Sequence, residues 1–267
     1  MMKIFKIATL VLCFSFLFAC KKNKQRDTQK PEQKQWVNLL SKNNLSDWII
    51  KIKGHEVGDN FNNTFIIEDG VLKVNYSEYN NKFNNAFGHI YYKKPYSNYK
   101  FRMDYRFTGK QLSDGAGWAN RNSGIMIHCE NPKTIGLNQK FPVCIEVQLL
   151  GGNGINERPT GNLCTPGTHV MYKDSLVTEH IIKSSSKTYH GEQWVNVEIE
   201  VRNDSIIKHF INGKKVLDYS KPHLGGDVDF NKELWKSKAG QALKGGYISL
   251  QSESHPVEFK NIEILEL

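Results

Sequence analysis

The sequence predicts an all-β protein built as a sandwich or a barrel. Apolar and polar residues alternate with period two in many short segments, whereas helical periodicity over three or more turns is hard to find. Turn pairs such as Asp69-Gly70, Asn203-Asp204 and Asn212-Gly213 separate some of these segments. Many short strands with few helices favour two packed sheets or a closed barrel. The stretch from Trp36 to Leu267 shows no break in composition, which favours one large domain over residues 36–267.

The first residues have the order of a secretory signal that ends at a cysteine. Lys3 and Lys6 precede an apolar run from Ile7 to Phe18, which is too short to span a bilayer, and Ala19 stands before Cys20. This end resembles the lipobox of bacterial lipoproteins, in which cleavage before Cys20 leaves a lipidated terminal cysteine. An ordinary secretory signal with an incidental cysteine is the alternative. Residues 1–19 are therefore predicted to be a signal peptide that directs the chain to the bacterial cell envelope.

Residues 20–35 are predicted to be the lipidated cysteine and a flexible basic linker. From Lys21 to Gln35 only the ring of Pro31 is apolar, so this segment cannot bury a core. The full chain carries a formal charge of +9, and the signal and linker hold most of it, which leaves about +3 on the domain. The high pI is therefore no argument for nucleic acid as a partner. The linker is better suited to anionic lipid headgroups, with the anchor in the outer or cytoplasmic membrane and the domain facing the periplasm or the surface.

Within the domain, several segments have the composition and alternation of strands. They are Phe65–Asn75, His89–Tyr92, Tyr99–Thr108, Ser123–His128, Cys144–Leu150, Trp194–Arg202, Ile206–Ile211, Tyr247–Glu253 and Glu258–Leu265. Two further segments are rich in Gly, Pro, Asn and Thr, namely residues 118–128, which overlap the predicted strand Ser123–His128, and residues 151–169. Long loops of this composition in a sheet domain are typical of a functional rim.

The predicted strands present unusual polar faces. Around Glu146, the residues Ile145, Val147 and Leu149 are expected to be buried, while Glu146 and Gln148 project from the opposite face. A second strand buries Ile248 and Leu250, and its outward residues are Ser249, Gln251, Glu253 and His255. A third strand, Tyr99–Phe107, presents Arg102, Asp104 and Arg106.

These polar faces have two interpretations. They are either solvated outer faces of an antiparallel sheet, as the strand Trp194–Arg202 suggests, or the lining of a concave sheet that holds a polar ligand. We favour the second, because Gln, Asn, His and Tyr serve mere solubility less well than a Lys/Glu mixture. Sugars suit such a surface, since amides and carboxylates bond hydroxyls and rings such as Trp118 or Tyr172 cover a pyranose face.

A set of short motifs resembles one known family over about Trp36 to Leu267. The motifs, in chain order, are Asn122-Ser123-Gly124-Ile125, Glu146-Val147-Gln148, Trp194-Val195-Asn196, Asn212-Gly213, Gly246-Tyr247-Ile248-Ser249-Leu250-Gln251 and Val257-Glu258-Phe259-Lys260-Asn261-Ile262. Together they resemble the 3-keto-disaccharide hydrolase family, formerly a domain of unknown function. The resemblance implies a concanavalin A-like jelly-roll sandwich of two antiparallel sheets, acting on glycosides oxidised to a ketone at C3. The loop Cys164–Thr168, where a Gly-Ala-Ile-Tyr stretch is expected, and the segment Gln251–His255 indicate a distinct branch.

Such a substrate requires two protein functions. A C3 ketone acidifies the C2 proton, so a base can remove it and the anomeric substituent can leave, after which water adds to the enone. The protein must therefore supply a base near C2 and a donor or cation at the C3 oxygen. Glu146 is the first candidate for the base, and His128, His169 and His255 are its rivals or acids for the leaving oxygen. Candidates for contacting the substrate are Arg106, Arg121, Asn122, Gln148, Arg158, Gln251, Glu253 and His255.

A cofactor is not firmly indicated by the sequence. Arg121, Arg158 or a bound divalent ion would stabilise the enolate. Residue types that bind metals are present at His128, Glu146, His169, His180 and Glu253, but their spacing matches no metal signature. A structural calcium ion is equally open. Cys129, Cys144 and Cys164 remain after the signal and anchor are counted, which predicts one disulfide and one buried thiol.

Two functions of different class follow. One is a lipid-anchored hydrolase or lyase of 3-keto-glycosides, with a carbohydrate substrate, a membrane reached through its anchor and no nucleic acid. The other is a non-catalytic, lectin-like module that binds carbohydrate, because jelly rolls carry both activities. A titratable pair such as Glu146 with a histidine would distinguish the enzyme. The oligomeric state is not determined by the sequence.

Overall fold

The computed structural model describes residues 34–267. The predicted signal peptide, Cys20 and nearly all of the linker lie outside these residues, so their assignments stay predictions. Within the described part, every helix is too short or too polar to cross a bilayer.

The described chain is almost entirely β-structure. Its strands are β1 (Val37–Asn38), β2 (Trp48–Ile52), β3 (Phe65–Glu68), β4 (Val71–Val74), β5 (Gly88–Tyr92), β6 (Asn98–Phe107), β7 (Asn122–Cys129), β8 (Ile145–Leu150), β9 (Asn162–Cys164), β10 (Thr168–Tyr172), β11 (Ser175–Val177), β12 (Ile181–Ile182), β13 (Val195–Arg202), β14 (Ile206–Ile211), β15 (Lys214–Leu224), β16 (Tyr247–Ser252) and β17 (Val257–Glu266). One α-helix, α1 (Lys232–Ser237), and three 3-10 turns (Phe61–Asn63, Gly117–Ala119 and Pro132–Thr134) complete the elements.

The strands form two antiparallel sheets packed face to face. The ten-stranded sheet has the order β11-β10-β15-β14-β13-β6-β17-β4-β3, with β1 also paired to β17. The seven-stranded sheet has the order β12-β9-β8-β7-β16-β5-β2. The prediction of an all-β jelly-roll sandwich with two antiparallel sheets is confirmed.

The core lies between the two sheets. Ile145, Val147 and Leu149 of β8 are buried there, together with Ile248 and Leu250 of β16, as the alternation predicts. The ten-stranded sheet contributes a row from β6, consisting of Tyr99, Phe101, Met103, Tyr105 and Phe107. Burying a side chain of this size stabilises the fold by about 1.5–3 kcal/mol, so these two rows hold the sheets together.

The outer faces of the two sheets are unlike each other. The outer face of the ten-stranded sheet is partly exposed and carries ion pairs, such as Arg102 with Glu263 at 2.7 Å and Lys100 with Glu198 at 3.1 Å. It is a solvated face of the usual kind. The outer face of the seven-stranded sheet, which we call the site face, is covered by the loop of residues 130–144 between β7 and β8. Ile135 of that loop packs with Tyr91 and Met126 of the site face.

The covering loop is held by the side chains of buried Lys51 and half-buried Glu130. Lys51 of β2 is 3% exposed, and its Nζ donates to the carbonyl oxygens of Ile52 at 3.0 Å, His55 at 2.7 Å and Leu137 at 3.1 Å. Glu130 Oε1 accepts hydrogen bonds from Gln139 Nε2 at 2.6 Å and from the Val143 amide at 2.8 Å. The bond from Lys51 to Leu137 ties the loop to β2, and the bonds of Glu130 brace the loop internally.

Two expectations from the sequence were wrong. Residues 151–169 are not one long loop, because they contain β9 and the start of β10. These strands are too short to show a period in the sequence. The expected disulfide is absent from the described residues, in which Cys129, Cys144 and Cys164 are free and buried.

Candidate functional site

Antiparallel register brings the predicted polar residues onto the site face. Glu146 lies opposite Cys164 on β9 and Met126 on β7. Gln148 lies opposite Asn162 and Gly124, two residues further along β8. Gln251 of β16 is paired with His89 of β5 on the same face. A Cβ atom at Gly124 would lie 2.5 Å from Glu146 Oε1, so this glycine makes room for the carboxyl group.

A cavity of about 320 Å³ opens over Glu146. Its walls come from β7, β8, the covering loop, the turn after β9 and the segment before β12. The lining residues are Trp118, Asn122, Met126, Lys140, Phe141, Pro142, Glu146, Gln148, Cys164, Pro166, His180, Ile181 and Glu253. The volume lies at the lower end of the range for small-molecule sites, and the mixture of apolar walls with a few polar groups is typical of them.

The cavity contains two buried carboxyl groups with raised pKa values. Glu146 is 9% exposed, and burial raises its pKa to about 8, although a hydrogen bond with the Cys164 thiol opposes the shift. Glu253 is 3% exposed, and burial together with the charge of Glu146 raises its pKa well above the usual range. Two such groups do not ionise together, so one carboxylate and one carboxylic acid coexist once the first of them ionises, at about pH 8. A carboxylate can act as a general base, and a carboxylic acid can act as a general acid.

A lysine that the sequence analysis missed also lines the cavity. Lys140 Nζ lies 4.1 Å from the ring centroid of Phe87, 4.7 Å from that of Phe141 and 5.0 Å from that of Trp118. Burial lowers the pKa of Lys140, and the charge of Glu253 acts in the opposite direction. Aromatic faces stabilise the ammonium group, which is the cation of this cavity. The sequence analysis missed Lys140 because this residue lies in an irregular loop, which has no periodic pattern of apolar and polar residues.

Several polar atoms on the site face are ready to accept hydrogen bonds. Within residues 34–267, Asn122 Oδ1, Gln251 Oε1 and Glu253 Oε2 are buried and have no hydrogen-bond partner. Buried groups of this kind are rare unless water or a ligand satisfies them. Asn122 and Glu253 line the cavity, whereas Gln251 lies beside it on the face. Gln148 is already engaged, because its Oε1 accepts from Asn162 Nδ2 at 2.9 Å.

Trp118 provides an aromatic surface at the cavity. Its side chain is 53% exposed and stacks on Phe87, with ring centroids 6.2 Å apart and an interplanar angle of 8°. An exposed ring of this kind is suited to the apolar face of a sugar. Tyr172, the other ring considered from the sequence, lies on β10 and lines a different hollow.

Three predicted site residues are separated from Glu146. Arg106 belongs to β6 of the opposite sheet, where its Nε donates to Glu258 Oε2 at 2.6 Å on the outer face. His169 lies on β10 of the same opposite sheet, beside His223. His128 is on β7, but its Nε2 donates to the Asn203 carbonyl oxygen at 3.1 Å and it lines another hollow. The sequence analysis placed them together because alternation shows a polar face but not which sheet carries it.

Arg121, Arg158 and His255 form a separate cluster beside the cavity. Arg158 Nη1 donates to the carbonyl oxygens of Asn120 at 2.7 Å and Gly151 at 2.8 Å, and Arg121 Nη1 donates to that of Gly191 at 2.8 Å. Burial, with the charges of both arginines, lowers the pKa of His255 to about 4. These side chains do not line the cavity, and the arginines brace the surrounding loops.

Only some of the residues considered as metal ligands from the sequence lie close together in the structure. Glu146, His180 and Glu253 line the cavity, whereas His128 and His169 lie elsewhere. Residues 34–267 contain no group of three or more His, Cys, Asp or Glu side chains arranged to hold a metal ion. A divalent ion therefore stays a prediction from the sequence.

The fold and cavity together define a class of protein. A jelly-roll sandwich with a carboxyl pair, unpaired amides and an exposed tryptophan over one sheet has the features expected of a carbohydrate-active protein. The chain belongs to the family of 3-keto-alpha-glucoside-1,2-lyase-like domains, whose model matches residues 35–265. This membership supports a glycosidase-like enzyme.

Solved structures share the fold. Two candidate glycosyl hydrolases from Parabacteroides distasonis ATCC 8503 are 18% and 20% identical to this chain, with TM-scores of 0.53 and 0.51. Each similarity covers 87% of this chain, and 100% and 94% of the respective relative. A Bacillus subtilis protein of unknown function with a galectin-like fold is 10% identical, with a TM-score of 0.48, over 87% of this chain and 94% of its own. No curated protein matches this chain.

Proposed function

We propose that this protein cleaves glycosides whose sugar carries a ketone at C3, by elimination followed by hydration. The observation that carries the proposal is the carboxyl pair of Glu146 and Glu253 in the cavity of a chain from this family. A lectin-like module has no need of two buried carboxyl groups with raised pKa values.

The reaction has three steps. A base takes the C2 proton, and the electron pair moves to the C3 oxygen as an enolate. The enolate re-forms the ketone and expels the substituent at C1, whose oxygen receives a proton, leaving a double bond between C1 and C2. Water then adds to C1, and C2 regains a proton. The sum is hydrolysis of the glycosidic bond with the ketone retained, and release after the second step would make the enzyme a lyase.

The lining residues supply the required groups. Glu146, the carboxyl that ionises first, serves as the base, and Glu253 in its protonated form serves as the acid for the leaving oxygen. Lys140 provides positive charge for the enolate oxygen, the role that the sequence analysis gave to Arg121, Arg158 or a divalent ion. Asn122 Oδ1 accepts a hydrogen bond from a sugar hydroxyl. Trp118 covers one face of the ring.

The test is release of methanol and 3-keto-glucose from methyl 3-keto-α-glucoside by the purified protein, with and without a chelator. The proposal expects turnover in both arms. Loss of turnover in the chelator arm, restored by added divalent ions, would give the enolate role to a metal. Binding of the substrate with no turnover in any arm would contradict the enzyme and favour the lectin-like module, which the exposed Trp118 also suits.

We also propose that the protein is a lipoprotein of the bacterial cell envelope. The support is the order of Lys3, Lys6, the apolar run and Cys20, followed by the basic linker. The domain would then act on carbohydrates outside the cytoplasm.

A further inference from the structure

A second compartment adjoins the cavity over Glu146. This compartment has a volume of about 410 Å³ and shares four lining residues with the first cavity, namely Phe141, Pro142, Pro166 and His180. The two compartments therefore lie side by side, with these four residues between or around them. Nothing in the steps proposed for Glu146 and Glu253 uses this space.

The walls of the second compartment are packed against one another. Gly167 has φ +67°, and a Cβ atom there would lie 2.6 Å from Val228 Cγ1 and 3.1 Å from the Val143 methyl groups. The glycine therefore lets Val143 and Val228 close around the compartment. The Lys140 amide donates to Asp229 Oδ2 at 2.9 Å, which fastens the segment carrying Val228 to the covering loop. The walls of the compartment are therefore held in place by packing and by a hydrogen bond.

The two compartments differ in chemistry. The first contains Glu146, Glu253, Lys140 and Asn122, which suit the hydroxyl and keto groups of a sugar. The second is walled by Phe141, Pro142, Val143, Pro166 and Val228, and its charged residues include Asp227, Asp229 and Lys232. Val143 is buried, whereas Asp227 and Lys232 are exposed. Apolar walls favour an apolar occupant and leave the hydroxyls of a second sugar with few partners.

We propose that the second compartment is the aglycone subsite and that it selects an aromatic or otherwise apolar aglycone. The inference rests on the proposed function, which puts the sugar in the first compartment. The substrate class is then a 3-keto-glycoside of a phenol or a similar ring compound. Phe141 and Pro166, which border both compartments, would flank the glycosidic oxygen.

The experiment measures binding without chemistry, by calorimetry with the unoxidised ligands phenyl α-glucoside, methyl α-glucoside and maltose. Phenyl α-glucoside is expected to bind at least about tenfold more tightly than methyl α-glucoside, because the phenyl ring leaves water for the apolar compartment. Val228→Asp should remove most of this difference while methyl α-glucoside binds as before. Val228→Ser is a milder second variant, and thermal unfolding of each shows that it is folded.

Ile155→Asp is the matched control. Ile155 is 85% exposed and lines neither compartment, so this change should leave all three affinities unaltered. Equal affinity for the phenyl and methyl glucosides, absence of phenyl glucoside binding at millimolar concentration, or tighter binding of maltose would overturn the subsite. Turnover of methyl 3-keto-α-glucoside tests the proposed function separately, because a methyl group does not require the second compartment.

Discussion

The two carboxyl groups of the cavity are the residues on which the proposed chemistry depends. Glu146 and Glu253 approach one cavity from neighbouring parts of the same sheet, and burial raises the pKa of both. The charge of Glu146 raises that of Glu253 further, so the two protons leave at different pH values. The roles proposed for them, base and acid, therefore follow from their environments, although the side chains are identical.

Glu146→Gln should lower kcat on a 3-keto-glucoside by about two to four orders of magnitude. The amide keeps the shape of the carboxyl group but has no basic lone pair, and general-base catalysis contributes about this much. Asn122→Ala is the matched comparison, because it removes an acceptor of the cavity and should weaken binding by about 1 kcal/mol while most of kcat remains. Near-normal kcat for Glu146→Gln would exclude Glu146 as the base.

The raised pKa of Glu146 also predicts how stability depends on pH. Between its unfolded value, 4.5, and about 8, the folded protein holds a proton that the unfolded chain releases, so the free energy of unfolding falls as pH rises. Each pKa unit corresponds to about 1.4 kcal/mol. Glu146→Gln should therefore be more stable than the wild type at pH 8 by a few kcal/mol and lose that advantage near pH 4. Urea unfolding midpoints of the variant and the wild type at the two pH values measure this. The same difference in stability at both pH values would contradict it.

Among the structural elements, the loop of residues 130–144 has the largest effect on the site. It covers the site face, carries Lys140 and Phe141 into the cavity, and is fastened by Lys51 through the Leu137 carbonyl. In a sheet of this kind one outer face is usually solvated, and here a loop encloses it. The polar residues of β7, β8 and β16 are buried for this reason.

Lys51→Met should destabilise the fold by about 2–4 kcal/mol. The change buries an uncharged chain where three carbonyl oxygens, in buried or partly buried positions, lose their charged donor. Lys53→Met, two residues along and more exposed, is the matched control and should alter stability by less than about 0.5 kcal/mol. Denaturant unfolding of both variants gives the comparison, and equal losses would show that Lys51 does not fasten the loop.

Strands with a clear period could be predicted from the sequence, and irregular segments could not. The alternation in Ile145–Leu149 and Ile248–Gln251 correctly gave the buried residues and the polar face. The same alternation in Tyr99–Phe107 correctly gave the buried row. It could not show that Arg106 lies on the sheet opposite Glu146, because the pairing of distant strands leaves no local pattern in the sequence. The position of Lys140 and the shape of the two compartments could not be predicted, because they depend on the loop of residues 130–144. Tertiary contacts set the path of that loop.

At the scale of the whole molecule, the proposed lipid anchor would determine where the domain meets its substrate. If Cys20 carries the proposed lipid, Cys20→Ser should release the protein from membranes, because that lipid would be the main attachment, while the domain from Trp36 onward keeps its fold. Membrane fractionation after a high-salt wash provides the measurement, since salt screens the attraction of the basic linker. Full retention of Cys20→Ser after that wash would contradict the lipobox assignment.

The pairing of Cys164 with Glu146 across β9 and β8 gives the cavity a natural chemical reporter. Burial and the neighbouring carboxyl group raise the pKa of the Cys164 thiol, so alkylating reagents should label it slowly in the free protein. A ligand in the cavity would cover the sulfur and slow labelling further, and mass spectrometry of the Cys164 peptide would report the occupied fraction. Unknown glycosides could then be ranked by protection, without a chromogenic group or an assay of turnover.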